Sequence, residues 1–269
     1  MQLDDLIEMC TDRGDEIPHL ALVGGTGSGK TTLVVALLGM REGDIAALSG
    51  KEEDQFTKWR GLKVVGLDDD LSYEPCITLF DQLLWELKRR NLAVKRRLPI
   101  GDILTVVIDD LGVLRKECPS AINVVKYIAR IGRSLKVRLI ILSGSGQVKE
   151  LGLEGEGETR DHFLFIKLSK HRSGVVEAEG EKFEVDFSDI LAEHAATDLT
   201  GREWIPANYE EYATREGEGE TDVKRLVPII VSLVAFVTVT LMAGIQLGAV
   251  VALGVYAALE LLRKKVETR

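Results

Sequence analysis

Cysteine is scarce. The 269 residues hold three, Cys10, Cys76 and Cys118, an odd number with neither disulfide-framework nor metal-ligand spacing. That usage excludes a disulfide-stapled scaffold and points to thiols in a reducing compartment. An excess of positive charge is missing too: 34 Lys+Arg against 43 Asp+Glu give a formal charge of -9. A protein that coats nucleic acid indiscriminately is thereby excluded, although a local basic surface is not. The first residues include acids and no apolar run, so no secretory signal is expected and the bulk of the chain is placed in the cytoplasm. Charge of either sign is absent from one long stretch, Leu226 to Leu259.

A spanning helix needs only about 20 apolar residues, so that stretch reads as a membrane segment. As one straight helix it would reach roughly 50 Å, against a hydrocarbon core of about 30 Å. Two short spans turning near Ala243–Gln246, with Gly244 at the bend, fit better than one tilted span. Lys224 and Arg225 precede the segment and Arg263, Lys264 and Lys265 follow it. The positive-inside bias then puts both flanks in the cytoplasm, as a hairpin requires. The expected organisation is a domain over 1–194, a polar linker over 195–225, membrane helices over 226–262 and a basic cytoplasmic tail over 263–269. The chain is expected at the cytoplasmic (inner) membrane with its larger domain facing the cytoplasm.

In the first 190 residues short apolar runs alternate with helical periods. His19–Val23, Ile45–Leu48, Leu62–Leu67, Ile103–Ile108, Leu139–Leu142 and Phe163–Leu168 read as strands. Lys30–Leu38, Ile77–Val94 and Ser120–Leu135 read as helices, and Val175–Ala178 with Lys182–Phe187 as a closing hairpin. The alternation predicts an α/β domain, a mostly parallel sheet flanked by helices.

Gly24-Gly25-Thr26-Gly27-Ser28-Gly29-Lys30-Thr31 matches G-x-x-x-x-G-K-[ST] in full, between an apolar strand and a helical run. Glycines let backbone N–H groups curve around phosphate oxygens, and the helix that follows aims its N-terminus at the same anion. ATP is the expected ligand, held by Gly24 to Thr31 with Thr32 beside them. Lys30 is expected on the β- and γ-phosphates and the Thr31 hydroxyl on Mg2+. A second element should end an apolar strand in a carboxylate, and Thr105-Val106-Val107-Ile108-Asp109-Asp110 does so. Asp109 would orient the Mg2+ shell and Asp110 would polarise the attacking water. Asp68–Asp70 also follows an apolar run but reads as a solvated loop.

The surroundings of these motifs resemble the FtsK/HerA class of DNA-pumping ATPases, and FtsK-like motor domains above all. The resemblance runs from about Pro18 to Leu168. It rests on Pro18-His19-Leu20 before the P-loop and on Leu84-Trp85-Glu86-Leu87-Lys88-Arg89-Arg90, similar to the glutamate-x-x-arginine-arginine helix of those motors. Ile128-Ala129-Arg130-Ile131-Gly132-Arg133-Ser134 and the strand Leu139–Leu142 complete it. It implies a RecA-like core, a homo-oligomeric (hexameric) ring, and ATP hydrolysis coupled to movement along double-stranded DNA. It also implies ATP at a subunit boundary with an arginine reaching across, Arg133 first and Arg130 second. The sequence departs from the family pattern at Asp110, where those motors carry glutamate, so that either turnover would be slow or Glu86 would assist the water. It departs also after the sensor strand, where Gln147 lies two residues late.

Lys88, Arg89, Arg90, Lys95, Arg96 and Arg97 form a basic run that suits phosphate contacts on DNA, or anionic lipid. Three functions follow. The first is a membrane-tethered DNA translocase serving transfer, packaging or partition of a mobile element. The second is a nucleotide-switched membrane scaffold with weak turnover. The third is a protein-assembly or secretion ATPase similar to the zonula-occludens-toxin-like phage proteins. In each, substrate choice is open to a partner protein.

Overall fold

The computed structural model describes residues 19–51, 58–147, 150–153, 161–169, 173–178, 181–193 and 197–206. Pro18, residues 207–225, the expected membrane segment 226–262 and the basic tail 263–269 lie outside them. Among the described residues no helix is long and apolar enough to cross a membrane.

In chain order the elements are β1 (His19–Val23), α1 (Lys30–Gly39), β2 (Asp44–Ser49), β3 (Val64–Val65), α2 (Glu74–Lys95) and β4 (Leu104–Asp109). There follow α3 (Leu111–Glu117), α4 (Ala121–Ile131), β5 (Val137–Ser143), β6 (Phe163–Leu168), β7 (Ser173–Ala178), β8 (Glu181–Asp186) and α5 (Ser188–Glu193). The strands form one sheet in the order β3-β2-β4-β5-β1-β6-β7-β8. β1 to β6 pair in parallel, and the β7–β8 hairpin closes one edge antiparallel. The parallel strands are apolar at nearly every position because helices cover both faces. Leu20 and Leu22 of β1 join α1, Phe187 and Ile190 in one core, whereas Ala21 joins α2, α3 and α4 in the other. α1 is buried from Leu33 to Leu38, wedged between the sheet and α5.

Some elements differ from expectation. The strand read over Leu62–Leu67 shortens to Val64–Val65. The helix read over Ser120–Leu135 stops at Ile131, and only a glycine fits at 132, where a Cβ would stand 2.5 Å from Ile128 O and 2.6 Å from Val137 O. The chain turns there through a single 3-10 turn, Arg133–Leu135, into β5. Residues 197–206, read as part of the polar linker, belong to the first compact unit, which runs to Pro206. Leu199 is fully buried, the Arg202 guanidinium donates to the carbonyls of Leu38, Arg41 and Gly43, and around the Ile45–Glu203 bridge the Ile45 N–H donates to Arg202 O and the Trp204 N–H to Ile45 O.

His19, at the start of β1, is buried against Phe163, and its Nδ1 accepts the Leu139 N–H at 3.2 Å. Burial, aided by His162, lowers its pKa to about 3, so the folded protein holds the ring neutral. Below pH ~6.5 the unfolded chain takes up a proton that the folded one refuses, and stability falls with pH by about 1.4 kcal/mol per unit. Urea unfolding at pH 7 and pH 5 should show this loss, and His19→Gln, which keeps an acceptor for Leu139, should remove about 2 kcal/mol of it.

Candidate nucleotide site

β1 is enclosed as far as Val23 and then opens into the glycine loop. Gly27 and Gly29 have φ of 76° and 91°, where a Cβ would be strained. At Gly24 the limit is space, since a Cβ would meet Ser28 Oγ at 2.5 Å and Leu168 O at 3.0 Å. α1 starts at Lys30 with no side-chain cap. The N–H groups of its first turn and the positive end of its dipole therefore face the loop, which is an anion site. Lys30 Nζ donates to Gly24 O at 2.6 Å and to Gly25 O at 3.1 Å, lying back along the loop. Burial lowers its pKa, as does Lys51, against the opposing pull of Asp109 and Asp110. Thr31 is half-buried beside it, and Thr32 is exposed.

β5 separates the P-loop strand from the acidic strand β4. Its end joins the two: Gly24 N–H donates to Ser143 O at 3.1 Å and Asp110 N–H to Leu142 O at 3.2 Å. Two strand spacings, about 10 Å, thus separate the exits of β1 and β4 at the carboxyl edge, where the strand order reverses and ligands of such sheets bind. Asp109 closes β4 in register with Ser49 and Leu142. Asp110 leaves the sheet in the left-handed region, φ 56°, to start α3.

The Asp109 carboxylate is buried and its Oδ1 has no hydrogen-bond partner; burial pushes its pKa up, Lys51 opposes this, and Asp110 adds to it. An orphaned buried acceptor calls for an explanation, and a hard cation supplies one. Among the described residues no group of three or more His, Cys, Asp or Glu side chains could hold a metal alone. The Asp109 carboxylate fits Mg2+, which is commonly held by one or two protein oxygens together with substrate phosphates, and by the motif Thr31 would be the second protein ligand. Bound there, it would neutralise and orient those phosphates.

One residue of this site escaped the sequence. Lys51, just past β2, places Nζ 2.7 Å from Asp110 Oδ2 and 4.0 Å from Asp109 Oδ1. Its backbone is pinned: Lys51 N–H donates to Ser49 Oγ, Gly50 N–H to Asp109 O, and Tyr73 Oη to Gly50 O. Gly50 permits this approach, because a Cβ would lie 3.0 Å from Val113 Cβ and 3.1 Å from Asp110 O. A lone lysine after a strand carries no spacing signal.

Other expected residues fall elsewhere. Glu86 is on α2, where it accepts bonds of 2.7 Å from Arg89 and from Arg90. Arg90 Nη1 donates in turn to Asp102 O and Leu135 O, just before β4 and β5. Glu86 therefore sits at the amino edge of the sheet, on the order of 20 Å of strand from Asp109. It is not brought to the P-loop. Arg130, in the last turn of α4, and Arg133, in the 3-10 turn after it, are exposed, again toward the amino edge, so neither approaches the P-loop of its own chain. Gln147 is exposed; the polar end of β5 at the loop is Ser143, whose Oγ donates to Ser145 O. Asp68 Oδ1 accepts the Asp70 and Ser72 N–H groups in a local turn.

No family sequence model and no curated protein sequence matches the chain. Solved structures do. The cytoplasmic domain of the type VII secretion ATPase EccC of Thermomonospora curvata superposes with a TM-score of 0.50 at 19% identity, over 71% of this chain and 29% of that one. The pCW3 conjugation coupling protein TcpA, in its monomer form with ATPγS, gives 0.51 at 16% identity, over 65% of this chain and 62% of that one. The chain thus spans less than two thirds of either protein. With its P-loop and acidic strand at the carboxyl edge of a mostly parallel, helix-flanked sheet, the chain has the RecA-like fold of the P-loop ATPases.

Proposed function

We propose that the chain hydrolyses Mg-ATP to drive translocation of double-stranded DNA, from a membrane to which residues 226–262 tether it. The observation that carries the hydrolytic part is the buried Asp109 oxygen, which accepts no hydrogen bond and is held across β5 from an open glycine loop. Asp110 follows it as the group that polarises water. Translocation is supported by the fold shared with a conjugation coupling protein and a secretion ATPase. A homo-oligomeric ring, hexameric as in the motors this sequence resembles, gives exposed Arg133 its role at a neighbour's ATP. A substrate-selecting partner protein fits the same scheme.

The second reading, a motor for protein, has its own support. Arg89 and Arg90 are spent on Glu86, which leaves Lys88, Lys95, Arg96 and Arg97 of the basic run exposed. Four cations per subunit still suffice for sequence-independent phosphate contacts when a ring gathers them.

Steady-state ATP hydrolysis by the full chain in lipid nanodiscs decides between the two. With linear double-stranded DNA at low salt the rate should rise at least threefold, and Lys30→Ala should show no hydrolysis. Turnover indifferent to DNA would overturn the DNA substrate and favour the protein motor. Nucleotide binding without turnover in any condition would overturn the motor and leave a nucleotide-switched scaffold.

A further inference from the structure

Two ammonium groups converge on the candidate site, and only Lys30 belongs to the P-loop. Lys51 comes from the other side, off β2, with its Nζ on Asp110 and near Asp109. After burial, the Lys51 charge is what most disfavours the Lys30 ammonium. Two cations held close together are costly unless an anion of higher charge lies between them, and the loop's N–H groups face the same space. The backbone of Lys51 is fixed by the Ser49, Gly50 and Tyr73 bonds, so only its side chain has to move. That stem is flexible and ends in three donors, which suits exchange between a carboxylate and a phosphate.

We propose that Lys51 is a second phosphate-binding cation, held on Asp110 while the site is empty and transferred to the terminal phosphate of a bound nucleoside triphosphate. The proposal rests on the nucleotide reading given above and extends it to regulation. The Lys51–Asp110 pair keeps the water-polarising carboxylate engaged until a third phosphate arrives. A diphosphate lacks the group that draws Lys51 away, so the pair reforms after hydrolysis. Lys51 thereby makes the site prefer triphosphate over diphosphate.

The test is equilibrium titration of the full chain in detergent micelles with the fluorescent analogues mant-AMPPNP and mant-ADP, both with Mg2+. Lys51→Met keeps the length of the stem and removes the charge. It should raise the Kd for mant-AMPPNP about tenfold and leave that for mant-ADP within twofold, the retained mant-ADP binding showing that the variant is folded. Lys51→Arg should keep most of the preference for triphosphate. If Lys51→Met leaves both constants unchanged, or tightens both equally, Lys51 serves only to neutralise the acidic pair and the proposal fails. If the unaltered chain binds neither analogue, the nucleotide reading itself fails, an outcome distinct from a flat ratio on a chain that binds both.

Discussion

Asp109→Asn should lower steady-state ATP hydrolysis about a thousandfold without destabilising the protein, the scale expected when one preorganised charge is removed at a reacting phosphate. The side chain is enclosed at the end of β4, so an isosteric amide fits its space. What changes is charge. Burial raises the carboxyl pKa, which means that the ionised group opposes folding at neutral pH and opposes it less as pH falls and it protonates. The amide carries no such cost, so the unfolding midpoint in urea should stay level or rise. Binding of mant-ATP should persist, but its affinity should no longer increase when Mg2+ replaces EDTA. A variant that loses turnover through misfolding would show the reverse, a lower midpoint with the Mg2+ dependence intact in the folded fraction. Lost hydrolysis, kept stability and lost Mg2+ dependence together assign Asp109 to the metal.

Much of this site is legible in the order of the residues alone, and the reason is local. A P-loop is written in contiguous residues, because one strand exit, two positive-φ glycines and one helix start have to follow each other along the chain. The acidic strand is legible for a similar reason, an enclosed apolar run ending in a carboxylate. Lys51 is not, since its meeting with Asp110 depends on β2 lying beside β4 and on Gly50 passing under Val113. Such pairs are made by strand order, which no periodicity reports. The misplaced ends have the same origin. Gly132 looks tolerable in a helix whose apolar stripe continues to Leu135, and the closeness of Val137 O, which requires a glycine there, comes from tertiary packing that the stripe does not report. α3 is a seven-residue helix, too short for its apolar residues to set a helical period. The stretch from residue 197 to 206 looks like linker because it is polar. Arg202 instead closes the carbonyls at the end of α1.

Glu86→Ala should cost about 3 to 5 kcal/mol of stability and leave the turnover of the folded protein unchanged, since breaking a buried ion pair strands its partner's charge. Sequence resemblance places Glu86 near the chemistry; its surroundings assign it to the frame. Arg90 is 4% exposed and gives one carboxylate bond and two close carbonyl bonds, so without Glu86 its charge would be buried against neutral acceptors only. Burial alone would raise the Glu86 pKa, yet Arg89 and Arg90 outweigh it and hold the carboxyl below its ordinary value. Its contribution is thus present above the unfolded pKa and is lost as pH falls through the lower, folded one. The carbonyls that Arg90 holds, Asp102 and Leu135, open β4 and β5, the strands whose far ends carry Asp109 and Ser143. The clamp therefore anchors the strands that bear the site without touching nucleotide. Urea unfolding and kcat at zero urea separate the two roles: a large drop in midpoint with unchanged kcat is expected. A hundredfold fall in kcat with an unchanged midpoint would return Glu86 to the chemistry, against its position at the opposite edge of the sheet. Glu86→Gln should fall between, because an amide still accepts from one guanidinium but leaves the two positive charges without their counter-ion.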